Sequence, residues 1–82
     1  MAAEEESVDG SALQQRMVET LIKRVRQENF PSVTMMDRIE ASLRTREQLE
    51  EWAEVLLEKL EGTRYPSIAM LNRFDATVAR LG

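Results

Sequence analysis

Apolar residues return every three or four positions through most of this chain, and that period predicts helices. Leu13, Met17, Val18, Leu21, Ile22 and Val25 make one stripe, so a first helix is expected from about Ala12 to Glu28. Pro31 ends it, because proline offers no amide to continue the ladder. Ser32 reads as the N-cap of a second helix that carries Val33, Met36, Ile39 and Leu43 inward. Thr45-Arg46-Glu47-Gln48 fits a capping box, in which Thr45 caps the helix and Gln48 reaches back to it. The third helix that follows, to about Glu61, has Leu49, Trp52, Ala53, Leu56, Leu57 and Leu60 on one face, and Gly62 stops it. Ser67 caps a fourth helix, with Ile68, Leu71, Phe74, Val78 and Leu81 as its predicted inner face.

The same pattern occurs twice. Residues 30–43, beginning Phe30-Pro31-Ser32-Val33, read onto residues 65–78, beginning Tyr65-Pro66-Ser67-Ile68, at an offset of 35 positions. Moving the first helix's stripe by that offset lands on the third helix's stripe. The expected fold is therefore all-α: four short helices as two tandem helix-turn-helix hairpins, a 35-residue internal repeat, forming a small bundle. The first repeat covers about residues 12–44 and the second about 46–81. The period is close to a tetratricopeptide's, but that family's landmarks are missing at their expected offsets, so the label does not apply.

Composition narrows the function more than it defines it. The formal net charge is −4 over 82 residues, and Glu4, Glu5, Glu6 and Asp9 account for all of it. Residues 1–10 are expected to be a disordered acidic tail, and 11–82 a single neutral domain. The chain has no His and no Cys, so the commonest general base and the usual soft metal ligands are missing. Its three glycines are isolated, which leaves no phosphate-cradling loop. No catalytic, cofactor-binding or metal-binding residue is expected. No stretch is long enough to span a membrane, and the acidic start does not read as a signal peptide, so the expected location is cytoplasmic.

Protein contacts are the expected mode of action, through an unidentified protein partner or by homodimerisation. A nucleic-acid-binding module is the alternative. Lys23, Arg24 and Arg26 suggest it, although a helix C-terminus also favours cations. The candidate interaction surface is a repeated Met-x-x-Arg ridge: Met35 with Arg38, and Met70 with Arg73. Both residue types are enriched at interfaces. Phe30 and Tyr65 are expected to plug the open ends of the hairpins, with partner anchoring as their functional alternative. Arg24 with Glu40, and Lys59 with Asp75, are expected as flanking ion pairs between antiparallel helices.

Overall fold

Three of the four helices begin where a side-chain oxygen accepts an otherwise unpaired amide. Ser32 Oγ accepts from the Met35 amide at 3.2 Å, and Ser67 Oγ from the Met70 amide at 3.0 Å. At Thr45 the box is complete: Gln48 N–H donates to Thr45 Oγ1 at 3.1 Å, and Thr45 N–H to Gln48 Oε1 at 3.1 Å. Gln48 Oε1 also takes the Arg44 amide at 2.7 Å, which is why this polar residue is buried. Thr45→Ala should cost about 1 kcal/mol. For a domain this small that lowers Tm by roughly 4–8 °C. A thermal melt unchanged to within a degree would count against the box as a stabilising element.

The computed structural model describes residues 10–82. The expected acidic tail lies outside the described residues, apart from Gly10, which is already helical. The elements are α1 (Gly10–Gln27), α2 (Val33–Ser42), α3 (Arg46–Glu61) and α4 (Ile68–Leu81). The chain is a small all-α bundle, and no strand occurs among the described residues. Gly62 ends α3 without a left-handed backbone, at φ −86°. Its amide reaches Glu58 O at 2.9 Å, and a Cβ there would lie 3.2 Å from that same oxygen. Closeness, not a positive φ, accounts for the glycine.

One core holds α1, α2 and α3 together. Val18, Ile22 and Val25 from α1 meet Met36, Ile39 and Leu43 from α2 and its cap, and Trp52, Val55 and Leu56 from α3. The helix α3 is central, packing against α1 on one flank and α4 on the other. Lys59 reinforces the first contact by donating to the C-terminal carbonyls of Arg26 (3.0 Å) and Glu28 (2.7 Å). Arg26 adds a forked bond to Glu58, with both contacts at 3.1 Å. That hydrogen bond is the main reason the Arg26 pKa lies above the usual arginine value. The duplication remains a reading of the sequence; the packing is unequal between the halves, since α4 adds only partly buried Met70 and Phe74 to the core.

Candidate interaction surface

The helix α4 is rotated away from the orientation its apolar stripe predicts. Its one fully buried residue is Thr77, and Met70, Arg73, Phe74 and Leu81 are half-buried beside it. Ile68 is 71% exposed, and Leu71 and Val78 also face solvent, so this part of the predicted inner face is corrected. Leu13 and Val33, predicted inward on the first two helices, are exposed as well.

Polar bonds to α2 explain the rotation. Arg73 donates from Nη1 to Glu40 Oε1 at 2.7 Å and pairs through Nη2 with Asp37 Oδ1 at 2.9 Å. Arg80 donates to the backbone carbonyls of Glu40 and Leu43, both at 2.9 Å. The last turn of α2 has no basic residue of its own, and its C-cap is Leu43, so these carbonyls gain their donor from α4. At ~100° per residue, Arg73 and Arg80 share one side of α4, while Leu71 and Val78 lie well round from it. Turning the two guanidinium groups toward α2 carries part of the apolar arc outward.

The Met-x-x-Arg ridge divides into unequal halves. Met35 and Met70 pack against the core, and Arg38 is exposed as expected. Arg73 is drawn in: its side chain keeps 15% of its exposure. Burial pulls its pKa down, but the hydrogen bonds to Glu40 and Asp37 outweigh that and leave it above the usual value. Arg73 therefore joins helices inside the chain instead of matching Arg38 at the surface.

Neither expected flanking ion pair forms. Glu40 serves Arg73 and the Trp52 indole, whose Nε1–H donates at 3.1 Å, and Lys59 is committed to the end of α1. Asp75 is exposed and has no ionic partner among the described residues.

The aromatic residues also differ from expectation. Phe30 is 95% exposed and Tyr65 83%, so neither plugs a hairpin. Both line one groove of about 570 Å³ at the turn end of the molecule, together with Leu60, Pro66, Met70 and the stem of Lys59. Their shared position before Pro-Ser puts each at a turn, where the chain passes outside the core before the next helix starts.

The described residues thus present two surface features: the turn-end groove, whose lining also includes Asn29, Glu58, Thr63 and Ser67, and a strip of exposed apolar side chains on α4, Ile68, Leu71 and Val78. Leu57 on α3 is exposed as well. They include no cluster of acids arranged to hold a metal ion, and no helix long and apolar enough to cross a membrane. No family model, curated protein or solved structure matches this chain.

Proposed function

We propose that this chain is a non-enzymatic protein-interaction module that works through its exposed apolar helical surface, self-association being one form such contact can take. The observation that supports this is the exposure of Ile68, Leu71, Val78 and Leu57 at the edge of the folded core, and separately of Phe30 and Tyr65 at the turn end. Contiguous exposed apolar groups of this kind mark interaction sites in soluble proteins. Scattered single residues would carry no such weight. The ridge at Met35, Arg38, Met70 and Arg73 gives less support, because Arg73 is already engaged. Nucleic acid gains nothing from the charge pattern. Of the 15 acidic residues, four precede Gly10, which leaves 11 against 11 basic ones in the folded part.

The test separates binding from folding. Phe30→Ser with Tyr65→Ser should leave the melting free energy within about 0.5–1 kcal/mol, since both side chains are mostly in water already. Leu71→Ser, at a side chain 38% exposed, should cost about 1–2 kcal/mol and still fold. If Phe30 were a core plug, truncating it would cost about 3–5 kcal/mol. Light scattering at rising concentration and capture from native extract should then show an association that wild type makes and one of the variants loses. A wild-type chain that stays monomeric and captures nothing the variants fail to capture would overturn the proposal.

A further inference from the structure

The strip along α3 and α4 carries a charged border that indicates what can dock on it. Arg46 Nη1 donates to Leu81 O at 3.3 Å, which sets the start of α3 against the end of α4. Counting inward along the antiparallel pair brings Leu57 level with Leu71. Ile68, Leu71 and Val78 then extend the apolar line over roughly 15 Å, or about three turns. Asp75 falls within the same arc of α4. Across the seam, Glu50, Glu54 and Glu61 follow Leu57 around the outer face of α3, all of them exposed. Glu50 is paired with Arg46, and Glu54 lies 3.8 Å from Arg26. Glu61 and Asp75 have no ionic partner among the described residues. The strip is thus apolar except for Asp75, which lies within it between Leu71 and Val78, and exposed acids line its α3 side.

We infer that this strip docks an amphipathic helix of a partner protein, one whose apolar face is bordered by Lys and Arg. The inference rests on the interaction-module reading and names the occupant. The seam of two antiparallel helices can take a third helix through apolar residues at i, i+3, i+4 and i+7. Cations beside those anchors would meet Asp75 and Glu61, neither of which has an ion-pair partner among the described residues. A second copy suits the strip poorly. Pairing it with itself would bring two acid-bearing surfaces together, and like charges in a contact work against it.

The experiment uses the full chain and three fluorescein-labelled synthetic peptides that share one apolar helical face. Their flanking positions are all Lys/Arg, all Gln or all Glu. Anisotropy titrations should rank them in that order, with at least a ~10-fold step between the basic and neutral peptides that shrinks as salt rises. Leu71→Ser should weaken the basic peptide about 10-fold or more. Asp75→Lys with Glu61→Lys should reverse the order, and circular dichroism should show those variants still folded, since both acids are exposed. Three results would overturn the inference: no binding of the basic peptide, no effect of Leu71→Ser, or an unchanged order in the charge-reversed variant. Binding lost instead on Phe30→Ser with Tyr65→Ser would move the site to the turn-end groove and overturn it too. A wild-type dimer abolished by Leu71→Ser would identify a second copy as the occupant, which overturns this inference while the interaction-module reading stands. That broader reading fails only when self-association and capture are both absent.

Discussion

Trp52→Ala should leave this chain largely unfolded at room temperature. Trp52 is fully buried in α3, at the point where α1, α2 and α3 share one core. Removing so large a side chain from a packed site costs about 3–5 kcal/mol. A single core in a domain of this size rarely supplies more than about 3–5 kcal/mol in total, so the loss matches the stability available. Trp52→Phe separates packing from hydrogen bonding. It keeps most of the volume but leaves Glu40 Oε2 without the indole N–H that donates at 3.1 Å. That variant should fold, with a loss of about 1–2 kcal/mol. Far-UV circular dichroism in urea tests both. A Trp52→Ala chain with a cooperative transition near the wild-type midpoint would mean that α1 and α2 hold together without it.

The features that were legible in the sequence are those decided within a few residues. Ser32, Ser67 and the Thr45–Gln48 box cap the helices they were expected to cap, because capping involves only a residue and the amide three positions on. The α3 stripe is correct for Trp52, Ala53 and Leu56, with Val55 added and Leu57 at its exposed edge. A helix packed on both flanks buries a wide arc, so an apolar period locates its centre well. The fourth helix shows where this reasoning stops. Its apolar period points one way, but its orientation depends on acids and carbonyls more than thirty residues earlier in the chain. Glu40 illustrates the same limit. Its height in the hairpin suggested a cation across from it, and the cation is present, but it comes from α4 and not from α1. The aromatic residues misled for a different reason. Phe30 and Tyr65 are large and apolar, yet each sits in a turn before a proline, where position outweighs hydrophobicity.

Arg38 and Arg73 occupy equivalent places in the sequence pattern and should behave very differently when replaced. Arg38→Ala removes an exposed side chain and should change stability by no more than about 0.5 kcal/mol. Arg73→Ala removes the cation between Asp37 and Glu40, one helical turn apart on α2, and leaves two acids facing each other at i,i+3. Asp37 is well exposed and can be screened by water, whereas Glu40 is three-quarters buried and would keep only the Trp52 donor. The expected cost is about 1–3 kcal/mol, above the 0–1 kcal/mol of an exposed pair and below that of breaking a fully buried one. Adding Arg80→Ala takes the donor from the last carbonyls of α2, and the two losses should fall on the same motion: α4 becomes free to roll about its axis. Rolling would bring Leu71 and Val78 toward α3 and hide the strip. The double variant should therefore lose stability and also expose less apolar surface, seen as slower amide exchange near Leu71 or weaker binding of an apolar probe. Equal melting curves for Arg38→Ala and Arg73→Ala would show that the guanidinium bonds to α2 do not set the orientation of α4. The exposed strip would then have to come from packing against α3 alone.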